Sequence, residues 1–185
     1  MDRARRGWPL FGAISIAAVL ADLISKELVF NRLGMPGTSP AIVLVLRVLT
    51  IETNLNEGAL FGMGQGMGLV FAGVSTFALL GILAMVARPD TRQNSWLVIA
   101  LGLICGGIIG NLYDRLGLPG LQWHLPPDRV GQPVLAVRDW IHVTVPGVID
   151  WPIFNLADSF LVVGAGMLLM STMRTPTAMA DTPSS

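Results

Sequence analysis

From Ile153 to Met173 the chain carries a single charge, Asp158, inside a stretch that is otherwise apolar. An ionisable side chain within a membrane span costs on the order of 2.5–3.5 kcal/mol near the helix centre and less toward the interface. Such a residue faces other helices or water and marks proton or ion chemistry more often than packing. Helical spacing adds partners: Asp22 and Lys26 are four apart, while Asn111 and Asp114, and Asn155 and Asp158, are three apart. Each pair therefore shares one helix face. Acid–base catalysis and proton or cation coupling are both within reach of such a set. Simpler readings stand beside them. Asp22 and Lys26 could do no more than neutralise each other, and Asn111 and Asp114 could form a solvated helix end. Gly102, Gly106 and Gly110 recur at every fourth position, a pattern that close helix packing explains without chemistry.

Other chemistries are excluded by residue type. Cys105 is the only cysteine, which rules out an intrachain disulfide framework or a cysteine-built metal site. His124 and His142 are the only histidines, and neither lies in a zinc-protease pattern. Gly73-Val-Ser75 is similar to an intramembrane serine motif, but no span holds a histidine to serve as base, so Ser75 reads as a packing residue. A Gly-x-Gly-Asp signature is absent. The net charge of +0, from 12 basic and 12 acidic side chains, argues against nucleic acid as a partner.

The elements that must position these residues are membrane helices. Of the 185 residues 52% are hydrophobic and 13% charged, with a mean hydropathy of +0.64, which departs from soluble usage. The charge-free gaps between Glu57 and Arg88 and between Arg92 and Asp114 each supply the roughly 20 apolar residues that cross a bilayer. Spans are expected near residues 8–30, 67–87, 95–113 and 153–173. The apolar segment Ala41–Leu46 is too short to cross. Arg3, Arg5 and Arg6 followed by Leu10–Leu20 also fit a cleavable secretory signal, but three further spans and the Asp22–Lys26 pair favour a retained helix. Basic residues before span one, at Arg88 and Arg92, and at Arg174 place both termini in the cytoplasm. Loops 31–66 and 114–152 then face outward, and the six polar side chains gather near the outer leaflet.

Within the outer loops, Leu49–Asn54 alternates apolar and polar residues as a strand does, suggesting a small β platform. Residues 116–138 hold too many prolines and glycines for a regular element and read as an extended loop. The fold class predicted is thus an all-α, four-helix integral membrane protein with a small β platform and extended extracytoplasmic loops. A single four-span membrane domain is expected over 1–174, with 175–185 as a short disordered cytoplasmic tail.

Five separated blocks give the chain a family likeness: Asp22-Leu-Ile-Ser-Lys26; Asn56-Glu-Gly58-Ala-Leu-Phe61; Gly106-Gly107-Ile-Ile-Gly110-Asn111-Leu-Tyr-Asp114-Arg115; Val137-Arg-Asp139-Trp-Ile-His-Val143; and Phe154-Asn155-Leu-Ala157-Asp158. In this order the chain resembles the lipoprotein signal peptidases, or signal peptidase II. The resemblance implies catalytic aspartates at Asp139 and Asp158. It prefers Asp139 to Asp150 because Asp-Trp-Ile-His-Val resembles the family's Asp-Phe-Ile-His-Val. It further implies that Asn56, Gly58, Asn111, Arg115 and Asn155 organise substrate or aspartates, with Asp22, Lys26 and Asp114 supporting the site. Two departures stand out: the stretch from Arg115 to Asp139 is longer than usual, and Arg138 occupies a position where an apolar residue is common.

The implied activity is cleavage of a prolipoprotein signal peptide on the amino side of a diacylglyceryl-modified cysteine, in the bacterial cytoplasmic membrane. Two adjacent carboxyl groups would share a proton and activate water, with no metal or organic cofactor. The partners implied are lipid-modified prolipoproteins and membrane lipid, and a monomer is expected. The 116–138 loop and the platform are expected to clamp substrate. The competing reading is a proton- or cation-coupled transporter using Asp22 and Asp158, although four spans without paired interrupted helices match transporter repeats poorly.

Overall fold

A computed structural model of the protein describes residues 3–58, 64 and 66–174. Four of its helices are long and apolar enough to cross a membrane: α1 (Arg3–Leu33), α2 (Gly68–Ala87), α4 (Ser95–Arg115) and α5 (Leu156–Arg174), with a short helix α3 (Pro89–Gln93) between α2 and α4. The anticipated tail at 175–185, and Ala59–Phe61 of the second block, lie outside the described residues.

Small residues decide how the bundle closes. Helix α4 is the central one, packing most extensively against α1 and α5. A side chain at Gly102 would meet Ile14, and one at Gly106 would come within 2.4 Å of Ala18 Cβ. On the α5 side, Gly107 lies against the Ala157 carbonyl, and Gly164 of α5 returns the contact against Ile104 and the Ala100 carbonyl. Close approach of this kind is how membrane helices gain packing where lipid is as apolar as the protein. Phe11, Ile82, Val86, Val98, Leu101, Cys105 and Ile108 fill the interior. Large apolar side chains such as Leu28, Phe77 and Val162 are left exposed on the outside of the bundle, as a lipid-facing surface requires.

At one end of the bundle sits an antiparallel sheet in the order β1-β2-β3-β4, made of β1 (Ile42–Val45), β2 (Leu49–Asn56), β3 (Val137–Val145) and β4 (Ile149–Phe154). The short apolar segment at 41–46 thus becomes an edge strand. Pro146 and Gly147 form the β3–β4 turn, closed by the Val148 N–H donating to Val145 O at 2.9 Å. Gly147, at φ 74°, supplies the left-handed position such a turn needs. Pro152 falls in β4, the other edge, where its missing N–H costs no ladder bond.

Two boundaries differ from the sequence expectation. Ile153 and Phe154 finish β4, so the last span starts at Leu156 and Asn155 stands just ahead of it. The β-branched and aromatic residues preceding Asn155 find ladder partners on β3, and those pairings win over continuing the helix backward. The irregular loop expected over 116–138 ends instead at 136, because Val137 and Arg138 pair with Asn56 and Leu55 of β2, and within it lie only a 3₁₀ turn at Pro127–Arg129 and an isolated bridge between Gln122 and Pro133.

Candidate active site

The sheet and the helix ends meet around two aspartates. Asp139 is the third residue of β3 and lies opposite Asn54 of β2, beside an irregularity in the ladder between Ile51 and Asn54. Its neighbour across the gap is Asn155, whose local geometry follows from its place before α5. The Asp158 N–H donates to Asn155 Oδ1 at 3.0 Å, and the Asn155 N–H donates to Asp158 Oδ2 at 3.2 Å. This reciprocal pair is a capping box, which satisfies helix-end donors that would otherwise be orphaned. The next free donor, the Ala157 N–H, is met by Asp22 Oδ1 at 3.0 Å.

One amide chain joins the two aspartates. Asn155 Nδ2 donates to Asp139 Oδ1 at 2.6 Å and to Asn111 Oδ1 at 3.1 Å, and Asn111 Nδ2 donates to Asp158 Oδ1 at 2.8 Å. Asp139 is almost fully buried, whereas Asp158 is half-buried at the lip of a cleft. Burial pushes the Asp139 carboxyl up to about 7, and the nearby charge of Asp158 pushes the same way, against the pull of Asn155, Lys26 and Asn56. Asp139 Oδ2 has no hydrogen-bond partner among the described residues.

Beneath the amide chain lies a buried ionic cluster. Lys26 Nζ is 2.7 Å from Asp22 Oδ2 and 3.0 Å from Asp114 Oδ2, all three side chains at 0% exposure. It also donates to Asn111 Oδ1 at 3.0 Å. Asp22 and Lys26 therefore do more than neutralise each other, and Asn111 and Asp114 are not a solvated helix end. Both simpler readings fail because β3 and α5 cover these residues from above. Gly110, read as packing only, turns out to make room for a carboxylate: a Cβ there would fall 2.3 Å from Asp22 Oδ2.

The cleft, about 440 Å³ in volume, has Asn56, Asn111, Arg115 and Asp158 at its polar end and Phe154, Leu161, Val162 and Val163 along an apolar wall. Arg115 donates to the Gly58 carbonyl at 3.1 Å, and the Gly58 N–H is in turn held by Asn56 Oδ1 at 3.0 Å. All ten residues singled out in the sequence thus fall in or directly beneath one site. Asp150 does not. Its carboxylate lies 2.7 Å from His142 Nε2 and is largely exposed.

Three features escaped sequence reasoning. Arg138 stands out in the sequence only as a departure, yet it is buried and bound to Asp114. His142 is held between Glu52 and Asp150. Arg129 of the long loop grips Glu57 with both terminal guanidinium nitrogens, at 2.9 and 2.6 Å, while stacked 4.1 Å above the Trp123 ring. The first had a signal, a cation next to a functional acid. The other two depend on long-range partners, Glu52 lying 90 positions from His142 and Glu57 lying 72 from Arg129, which no spacing rule connects.

The family model described as signal peptidase (SPase) II matches residues 14–174. The chain belongs to the signal peptidase II family. Among its relatives is a lipoprotein signal peptidase of Rhodopirellula baltica, 45% identical over 170 residues, covering 89% of this chain and 72% of the relative. Another, from Bacillus subtilis, is 31% identical over 164 residues, covering 89% of this chain and 93% of the relative. A solved bacterial membrane enzyme shares the fold, with a TM-score of 0.74 at 22% identity over 95% of this chain and 94% of that one. Signal peptidase II membership makes the protein a membrane aspartic peptidase, and the transporter reading finds no support.

Proposed function

We propose that this signal peptidase II cleaves diacylglyceryl-modified prolipoproteins on the amino side of the lipidated cysteine, with Asp139 and Asp158 as its catalytic pair. The observation that carries this reading is the single amide chain, Asn155 to Asn111, that binds one carboxylate at each end. Two carboxyls so placed cannot both ionise cheaply, and they hold one proton between them. Asp139, the more buried of the two and raised to about 7, is the member that keeps the proton and hydrogen-bonds the scissile carbonyl. Asp158, at the cleft, takes a proton from the attacking water, and the proton then passes to the leaving amine. Because the pair titrates as a unit, its pH profile belongs to both groups.

The apolar wall of the cleft suits acyl chains entering sideways from the bilayer, and the polar end suits a peptide backbone. Asn56, Gly58 and Arg115 would hold that backbone, while Asn111 and Asn155 hold the aspartates. Asp22, Lys26 and Asp114 brace them from below. In this reading the sheet lies at the extracytoplasmic face of the bacterial cytoplasmic membrane, both termini are cytoplasmic, and the protein acts as a monomer. A membrane-impermeant thiol reagent applied to intact cells tests the orientation. Gly147→Cys should label and Asp90→Cys should not, and the reverse pattern would overturn it.

The chemistry is tested by incubating detergent-purified protein with a diacylglyceryl-modified precursor. Asp139→Asn and Asp158→Asn should each lower cleavage by on the order of 10³-fold or more, the scale seen when one member of a catalytic unit is removed. Asp150→Asn should retain most activity. A dead Asp150→Asn beside an active Asp139→Asn would refute the assignment of the pair.

A further inference from the structure

We infer that Arg138 is a positioning residue for the reaction, holding Asp139 in place by gripping both oxygens of the buried Asp114 carboxylate. The inference rests on Asp139 being one of the catalytic pair.

Successive side chains of a strand point to opposite faces, and β3 uses this at its buried start. Arg138 turns toward α1 and α4, and Asp139 turns toward Asn155. The Arg138 backbone N–H donates to Asp114 Oδ2 at 3.1 Å, and its Nε donates to Asp114 Oδ1 at 2.9 Å. One residue therefore fixes the strand through its main chain and side chain together, one peptide unit from Asp139. Its NH1 reaches outward to Glu27 Oε2 at 3.2 Å, and its guanidinium lies 5.9 Å from the Phe30 ring centroid. Arginine is suited to this task, because its planar fork offers several donors in fixed directions where lysine has one ammonium.

Charge gives a second reason. Lys26 alone would have to serve both Asp22 and Asp114, while also donating to Asn111. With Arg138 present, two buried carboxylates face two buried cations. Lys26 can then stay on Asn111 Oδ1, which also accepts from Asn155. A pull on Lys26 would move Asn111 and, through it, the amides that hold Asp139 and Asp158. The charged groups around Asp139 are Lys26 and Asp22 on α1, Asp114 and Arg115 on α4, and Asp158 on α5, with Glu27 on the solvent side.

The test compares Arg138→Met, Arg138→Lys and Asp139→Asn, purified in detergent and assayed on a diacylglyceryl-modified precursor across pH. Arg138→Met should lower kcat by about 10–100-fold, the scale of a slight misplacement of catalytic groups, with KM little changed. The acidic limb of its pH–rate profile should move to higher pH, because a cation has been lost near the pair. Arg138→Lys should recover part of kcat. An Arg138→Met protein with wild-type kcat and pH profile would overturn the inference. Should that variant fail to accumulate, Arg138→Gln, which keeps a donor but no charge, must show the same displaced profile, and an unshifted one overturns the inference equally. Asp139→Asn separates the two claims. If it is inactive while Arg138→Met behaves as wild type, only the role of Arg138 is lost, whereas an active Asp139→Asn removes the catalytic pair itself.

Discussion

Strand β3 carries two acid clusters within a few residues of each other, and they have opposite characters. At its start, Asp139 is sealed beneath the sheet beside the Asn155–Asn111 chain and above Lys26, Asp22 and Asp114. Farther along, His142 bridges Glu52 and Asp150 on a surface where all three side chains reach solvent. The residue types are similar, and the surroundings are not. Exposed ion pairs are screened and contribute about 0–1 kcal/mol, whereas in the buried cluster every charge depends on its partner. A site that must hold a proton on a carboxyl near neutral pH can be built only in the buried environment.

The sharpest way to break the contrast is to remove the cation at the centre of the buried cluster. Lys26→Met leaves Asp22 and Asp114 facing each other without their shared partner, and should destabilise the protein by about 3–5 kcal/mol, the usual cost of orphaning a buried charge. Chemical unfolding in detergent measures this, and a change of under about 1 kcal/mol would mean that the cluster carries no more than a surface pair.

A second test uses pH. Asp139 has a folded-state pKa raised from 3.8 to about 7, so the folded protein binds its proton more tightly than the unfolded chain does. Its contribution is therefore fully present below 3.8 and is lost as pH rises through about 7. Asp139→Asn, which cannot ionise, should lose less thermal stability than the parent as pH rises from about 5 to about 8, a range that holds most of this loss. Parallel melting curves for the two proteins would show that Asp139 is not held protonated.

The long loop offers a third. Deleting residues 118–134 should weaken turnover while leaving the protein in the membrane, since Arg129 then no longer anchors Glu57 beside Asn56 and Gly58. Arg129→Ala should reproduce part of that loss, seen mainly in KM. Unchanged kinetics in both would remove the loop from substrate handling.

The smallest effect belongs to the exposed cluster. His142→Ala should cost about 0–1 kcal/mol, and only on the acidic side. Burial draws the His142 pKa down, but hydrogen bonds to Asp150 and Glu52 and their charges outweigh it and leave the pKa above 6.5. The stabilisation is thus complete below 6.5 and disappears as pH rises through the folded-state value. Melting temperatures measured on both sides of neutrality would reveal it.

Much of this protein is legible in its residues because lipid imposes simple local rules. A bilayer core demands long apolar helices and penalises polar groups, so long apolar stretches disclose the four spans, and Asp22, Lys26, Asn111, Asp114, Asn155 and Asp158 stand out against them. Helical spacing then put the right side chains on the same faces, and the block order disclosed the family. Where strand and helix compete, local rules weaken: the last span begins three residues later than its hydropathy suggests, because Ile153 and Phe154 finish β4 and Phe154 pairs with Ile141 of β3. Only the tertiary structure decided that Asp139 lies buried against Asn155 while Asp150 meets His142 at the surface, that Arg138 closes the charge balance beneath the site, and that Arg129 reaches Glu57. Those pairings depend on strand register and on which groups are shut away from water, and both are settled by residues far apart along the chain.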